Sequence, residues 1–360
     1  MKGIQEDQMK QKKPAYLTLY ETLRQQISEG AFPYGSRFPS KRSLAAQYDL
    51  SLVTVEHAIE LLNEEGYIET RERAGMFVTF RTDSVFPVLE EAPMPNASSH
   101  LHMKDVFPFS VLARTIRRVL SEYQEDILIK SPPCGLPSLR SALAVHLLAS
   151  RGIAVSPDQI IIGSGAEYLY GLLVSLFGRD KTFGLEDPSY EMIRKIYEAN
   201  GVRIELLKLG SNGILSSELH RSNADVLHIT PYHSWPTGIS ADASKRKEYI
   251  AWAKQHNAIL IEDDYDSEFT LSGKPADTLF AMAEEGQVIY LNTFSRTIAP
   301  SIRIGFMILP KSLLPQYEEK AGFYSCSVST FSQLILYELL RSGDYERHLN
   351  RIRRSRRRIR

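Results

Sequence analysis

The chain has 360 residues, 43% of them hydrophobic, enough for two or three domains with filled cores; collagen-like, mini-protein and wholly disordered readings are excluded. Its 43 Lys and Arg balance 43 Asp and Glu, so no global field points to nucleic acid or a membrane, and such a partner must meet a local patch. Cys134 and Cys326 lie far apart and outside any C-x-x-C, which fits a reducing compartment and supplies neither a disulfide framework nor a cysteine metal cluster. No metal site is expected. The start MKGIQEDQMKQKKP lacks an apolar core, and no later run nears the roughly 20 apolar residues of a membrane helix. A cytoplasmic protein with no membrane partner follows as the expectation.

Residues 1–13 are polar and aperiodic and read as a flexible tail. From Pro14, Tyr16, Leu19, Tyr20, Leu23 and Ile27 recur at helical spacing until Gly30 stops the run. Ser40 is a good N-cap for a second, short helix that carries Leu44, Ala45 and Tyr48 inward. After the turn Asp49-Leu50-Ser51, Ser51 caps a third helix with Val55, Ala58, Ile59 and Leu62 on its inner face, ending at Gly66. Tyr67–Thr70 and Met76–Phe80 alternate as two strands around the tip Arg71-Glu72-Arg73-Ala74-Gly75. Together, residues 14–80 form one small domain, a helix-turn-helix with a hairpin wing.

That unit places a helix in the DNA major groove and a wing on the backbone or minor groove. The outward positions of the third helix are Leu52, Val53, Thr54, Glu56, His57 and Glu60, of which Thr54 and His57 can bond to phosphate or base edges. Arg37, Lys41, Arg42, Arg71 and Arg73 would form a phosphate clamp, opposed by the acidic pair. A helical domain for protein contacts is the competing reading of the geometry. The residues Gly30, Gly35, Pro39, Ser40, Arg42, Leu44, Ala45, Ser51, Thr54, Val55, Ala58, Leu62, Glu65, Gly66, Gly75 and Val78 stand in an order that resembles the winged helix of GntR-type transcription regulators. The resemblance implies that Arg42, Ser51, Thr54 and the wing near Gly75 contact a double-stranded DNA operator. Glu56 and His57 depart from the Arg or Lys common there.

Residues 81–104, rich in Pro, Ser and Asn, read as a linker. Beyond it, apolar runs beginning at 159, 181, 202, 224, 258, 287 and 302 alternate with helical stretches, so residues 105–360 form an α/β domain with a mostly parallel sheet between helical layers. A last helix, from about Phe331, is expected to run unbroken into HLNRIRRSRRRIR. In such sheets ligands collect beyond the carboxyl ends of the strands. There stand Gly163-Ser164-Gly165 before a helix, a phosphate cradle in principle. Glu262-Asp263-Asp264-Tyr265-Asp266 forms an acidic cluster, and Thr293, Ser295, Arg296 and Arg303 would suit a phosphate.

The phrases CGLPSLRSALAVHLLASRGI, EDPSYEMIRKIYEANG, TPYHSWPTG, IEDDYDSEF and TFSRTIAPSIRIGFMILP resemble fold type I pyridoxal phosphate enzymes, specifically the aminotransferase-like domain of MocR-type regulators. The resemblance implies that Asp263 holds the pyridine nitrogen, Tyr265 bonds the ring hydroxyl, Tyr190 stacks on the ring, and Gly165, Ala166, Thr293, Ser295 and Arg303 surround the phosphate. The family's T-F-S-K-T supplies a Schiff-base lysine where this chain has Arg296, and arginine, with a pKa above about 12, is no nucleophile. Ser234-Trp235 and Glu167-Tyr168 replace residues common in the family. The resemblance also implies a further C-terminal part, so the chain reads as truncated at Arg360. The expectation is a non-enzymatic, homodimeric regulator with no catalytic residue, sensing a small anionic effector or non-covalent pyridoxal phosphate. The alternatives are an active aminotransferase with an accessory DNA-binding domain, and a DNA-binding protein with a ligand-free dimer scaffold.

Overall fold

The computed structural model describes residues 14–72, 74–81, 107–266, 268, 277–283 and 286–357. The chain divides near residue 95 into two compact units, each taken by itself. The expected tail, residues 1–13, lies outside the described residues, as does nearly all of the expected linker, 81–104.

In the first unit, α1 (Ala15–Ser28), α2 (Lys41–Tyr48) and α3 (Leu52–Glu64) pack around Leu23, Ile27, Leu44, Val55, Ala58 and Leu62, all buried. The caps form where the residue types place them: Ser40 Oγ accepts from the Ser43 amide and Ser51 Oγ from the Thr54 amide, both at 3.2 Å. Between α2 and α3, Asp49 takes a left-handed conformation (φ 52°), a region tolerated best by Gly, Asn and Asp, and this turns the chain sharply. The wing strands β2 (Ile68–Arg71) and β3 (Gly75–Val78) pair antiparallel, and Ile68 and Val78 close the core from below. A strand that periodicity does not announce, β1 (Arg37–Phe38), adds to the other edge of β3. Two residues are too few to show alternation.

The second unit is a three-layer α/β sandwich, with α4 (Phe109–Tyr123), α8 (Ser216–Arg221), α9 (Ala243–His256), α10 (Leu279–Met282) and α11 (Leu314–Lys320) among its helices. Its sheet runs β4-β11-β10-β9-β8-β5-β6-β7, with β4 at Ile160–Gly163, β5 at Thr182–Asp187, β6 at Arg203–Gly210, β7 at Gly213–Ile214, β8 at Val226–Ile229, β9 at Ile259–Asp263, β10 at Val288–Thr293 and β11 at Gly305–Ile308. The neighbours among β10, β9, β8, β5 and β6 pair parallel. β11 lies antiparallel to both β10 and β4. Apolar residues on both strand faces explain the three layers. Ile160 and Ile162 enter one core with α5 (Pro137–Arg151) and α12 (Thr330–Arg341), while Ile161 enters the opposite core with α6 (Ala166–Phe177) and α7 (Glu191–Ala199).

One expected element is corrected. The C-terminal helix is not continuous: α12 ends at Arg341 and α13 (Asp344–Arg357) starts anew. Gly343, at φ 70°, adopts the left-handed conformation that terminates helices, and Ser342 Oγ accepts from the Asp344 amide at 3.4 Å to open the next one. Tyr345, Leu349 and Ile352 of α13 are buried, so the basic residues occupy the rest of an amphipathic helix. Among the described residues no helix is long and apolar enough to cross a membrane.

Candidate functional site

On the first unit, the exposed residues expected to meet DNA gather at the start of α3, the start of α2 and the wing. Arg42 is exposed on α2. Ser51 and Thr54 bond to one another as well as through the cap, at 2.8 Å between hydroxyls. His57 stands edge-on to Tyr16 with ring centroids 5.7 Å apart. Lys41 is engaged within the unit: its ammonium lies 3.0 Å from Glu56, which ties α2 to α3. Arg71 meets Glu69 at 3.2 Å and lies over the Phe77 ring. At the tip, Gly75 has φ 106°, and a Cβ there would approach the Arg37 guanidinium to 3.2 Å. Arg73 lies outside the described residues.

On the second unit, parallel strands bring the sequence phrases to one edge of the sheet. The carboxyl ends of β4, β5, β8, β9 and β10 deliver Gly165, Tyr190, Thr230, Asp263 and the 293–296 segment. Because β11 runs antiparallel, its amino end lies at the same edge and brings in Arg303. These elements enclose a cavity of 380 Å³ lined by Ala166, Glu167, Tyr170, Tyr190, Ile193, Thr230, Trp235, Asp263, Tyr265, Thr293, Ser295, Arg296 and Arg303. That is within the range of small-molecule sites. Of the expected cofactor residues only Gly165 is outside the lining. It sits just behind it as the N-cap of α6, at φ 90°, where a Cβ would come within 3.2 Å of Arg303.

Asp263 forms the cavity floor and is 2% exposed. Its Oδ2 accepts from the Tyr170 hydroxyl and lies 3.5 Å from His228 Nε2, while its Oδ1 is buried with no hydrogen-bond partner. Burial lifts the Tyr170 phenol well above its ordinary pKa, keeping it a donor. His228 is oriented through Nδ1, 2.8 Å from the Tyr197 hydroxyl. Beside Thr230, Glu186 accepts from Thr230 and, at 2.8 Å, from Ser234. Burial pushes its carboxyl up to about 7. Below the floor, Arg151 reaches Asp264 at 2.8 Å and Tyr290 donates to the same oxygen.

At the opposite end the α6 N-terminus has no side-chain cap, because Gly165 has no side chain to offer. Arg303 reaches Glu167 at 2.8 Å across that first turn, and both side chains are half exposed. Thr293 and Ser295 share a hydroxyl contact of 3.2 Å. Arg296 pairs with Asp266 at 3.0 Å and lies over the Tyr265 ring. Burial raises the Asp266 carboxyl, against the lowering effect of Arg296 and His233. The Tyr265 hydroxyl donates to the His233 carbonyl at 2.6 Å.

Tyr170 escaped the sequence reading because it lies in the apolar stretch 169–177. Its signal is position: four residues after Ala166, it shares the cavity-facing side of α6. Asp266 was read only as a member of the acidic cluster 262–266, without its pairing to Arg296, and His228, inside the apolar run that begins at 224, gave no signal of its own.

The chain matches two family models: bacterial regulatory proteins of the gntR family over residues 15–78, and aminotransferase class I and II over residues 101–360. It is 34% identical over 353 residues to the uncharacterized HTH-type transcriptional regulator YdeL of Bacillus subtilis, covering 95% of this chain and 76% of that protein. It is 31% identical over 347 residues to the pyridoxine biosynthesis transcriptional regulator PdxR of Corynebacterium glutamicum, with the same coverage of 95% and 76%. The probable rhizopine catabolism regulatory protein MocR of Rhizobium meliloti is 28% identical over 367 residues, covering 95% of this chain and 74% of that one. Among solved structures, the kynurenine aminotransferase of Pyrococcus horikoshii superposes with a TM-score of 0.64 at 25% identity, over 69% of this chain and 64% of that enzyme. The chain thus spans just under two thirds of that enzyme's length. With both segments present in this order and relatives aligned across both, the chain belongs to the MocR-type subfamily of GntR regulators, a winged helix-turn-helix followed by a fold type I aminotransferase-like domain.

Proposed function

We propose that this chain is a cytoplasmic, DNA-binding transcription regulator whose aminotransferase-like unit senses a small anion or pyridoxal phosphate held without a covalent lysine link. One observation carries the reading: Arg296 occupies the cavity wall in the T-F-S-R-T segment, and no lysine is among the described residues that line the cavity. A guanidinium keeps its proton and cannot attack a carbonyl, which argues against transamination. PdxR, among the relatives, carries pyridoxine biosynthesis in its name, and the LysN aminotransferase of similar fold was solved with a phosphopyridoxyl leucine.

The residues present fit pyridoxal phosphate. Asp263 has a buried oxygen without a partner on the cavity floor, suited to a protonated ring nitrogen. The uncapped start of α6, Thr293, Ser295 and Arg303 form a polar end suited to a phosphate. Tyr190 and Trp235 offer flat apolar faces, and Tyr265 a phenol. In aminotransferases the cofactor supplies an electron sink. In this chain the side chains bind and orient it, and Arg296 adds a fixed positive charge.

DNA recognition is assigned to Arg42, Ser51, Thr54, His57, Lys41, Arg71, Arg73 and the Gly75 wing of residues 14–80, and a homodimer matches a two half-site operator. Two measurements test the reading. The protein with added pyridoxal phosphate should give no borohydride-reducible adduct, the cofactor should leave on dialysis, and Arg296→Lys should create a reducible adduct. A chain lacking residues 1–80 should lose binding to DNA sequences selected by the full chain. Steady amino-group transfer by the unmodified protein, or a reducible adduct at one of its own lysines in the cavity, would overturn the sensor reading.

A further inference from the structure

The polar end of the cavity holds an anion of its own. Glu167 is the second residue of α6, a 12-residue helix whose N-terminus opens on the cavity and whose N-cap, Gly165, cannot satisfy its amides. A carboxylate in the first turn is favoured by the helix dipole. Glu167 also reaches across the cavity mouth to Arg303, at 2.8 Å. The same guanidinium lies against Gly165, so the charged partner, the uncapped helix start and the carboxylate converge on one spot. At the far side, Asp263 is 2% exposed and keeps an oxygen without a hydrogen-bond partner. The cavity is thus built for a ligand with a cationic or N–H group at one end and an anion at the other, and its anion position is occupied by a side chain.

We infer that Glu167 is a specificity-determining residue: its carboxylate stands in for the ligand's anion on Arg303 and the α6 N-terminus, so a ligand must displace it to bind. This rests on the anion-sensor reading above and adds to it which residue sets the threshold. The Glu167–Arg303 pair is half exposed, so breaking it is not costly in itself. What raises the threshold is the repulsion that remains, since a displaced carboxylate on the same helical turn stays within a few ångströms of the incoming charge. A dianionic phosphate monoester, with more charge and three acceptor oxygens, can outcompete a carboxylate for Arg303, whereas a monocarboxylate offers the guanidinium nothing that Glu167 does not. The ligand class is therefore a phosphate monoester.

The test is a titration of the full chain with pyridoxal phosphate, pyridoxal and inorganic phosphate. It is read by quenching of Trp235, which lines the cavity; the other tryptophan, Trp252, is buried in a separate cluster. Glu167→Gln should tighten pyridoxal phosphate and inorganic phosphate at least about tenfold and change pyridoxal by less than about twofold. Glu167→Ala, which removes the charge without adding an amide donor, should show the same selective tightening. Equal affinities for wild type and both variants, an equal shift for pyridoxal, or tightening by Gln alone would overturn the role of Glu167 and leave the sensor reading standing. Absence of binding by any phosphate-bearing probe to all three proteins would overturn both.

Discussion

Tyr170→Phe removes a single oxygen and tests whether the cavity floor is held as the geometry states. The hydroxyl is buried and donates to Asp263 Oδ2; the other Asp263 oxygen has no hydrogen-bond partner, and the remaining polar neighbour, His228 Nε2, is 3.5 Å from Oδ2. A hydrogen bond to a charged acceptor contributes about 1.5–3 kcal/mol. At roughly 2–4 °C per kcal/mol for a unit of this size, Tyr170→Phe should lower Tm by about 3–12 °C. The assay is urea and thermal unfolding of four proteins: wild type, Tyr170→Phe, Asp263→Leu and the double variant. In the Asp263→Leu background the Tyr170 hydroxyl is stranded without its acceptor, so Tyr170→Phe should there be neutral or stabilising. That change of sign separates the hydrogen bond from general packing. A loss below about 0.5 kcal/mol in the wild-type background, or the same loss in both backgrounds, would refute the account of the floor.

Three further outcomes are expected. Glu186, Glu262 and Glu268 are each pushed up to about 7, with burial the largest cause. Their folded pKa lies above the unfolded value, so their contribution is full below about pH 4.5 and is lost as pH rises through about 7; urea midpoints should fall between about pH 5 and 7.5 and then level, and a rising profile would contradict this. Glu56→Gln releases Lys41 from its 3.0 Å pair, so DNA affinity should rise and the salt slope steepen by about one, measured by titration at several salt concentrations; an unchanged slope would show that Lys41 reaches no phosphate. Ser51→Ala should cost about 1 kcal/mol through loss of the α3 cap, whereas Ser51→Asp should keep the cap and still weaken DNA binding by repelling phosphate; equal DNA affinity for Ser51→Asp and wild type would remove Ser51 from the interface.

The fold was legible where a period or a cap carried it. Ser40 and Ser51 marked the starts of α2 and α3 because a hydroxyl at the N-cap satisfies an amide that no neighbouring turn can reach. The seven apolar runs of the second unit became β4, β5, β6, β8, β9, β10 and β11; all but β6, which is only partly buried, are mostly buried on both faces and so have no polar side to interrupt them. What escaped were elements too short for a period, β1 and β7, and the break before α13. There the apolar pattern of Leu339, Tyr345, Leu349 and Ile352 continues through a glycine whose conformation, not its burial, ends the helix.

The site was legible as residue types at strand ends, because a parallel sheet forces those ends together whatever the connecting helices contain. Its charge state was not legible. Arg303, Arg296 and Lys41 each read from sequence as a cation awaiting a phosphate. Each instead meets a carboxylate from a different element: Glu167 on α6, Asp266 after β9, and Glu56 on α3. No local spacing relates the partners, since the chain separations are 136, 30 and 15 residues, taken from positions 303 and 167, 296 and 266, and 56 and 41. The pairs recur in both units and have the same consequence. On the proposed function, a chain of zero formal net charge in which these three cations are already paired would gain little long-range attraction for anions, and binding would depend on displacing a resident carboxylate at short range. Affinity would then be lower than bare guanidiniums and ammoniums give, and discrimination higher, because the gain on binding would be the difference between two anions on one cation.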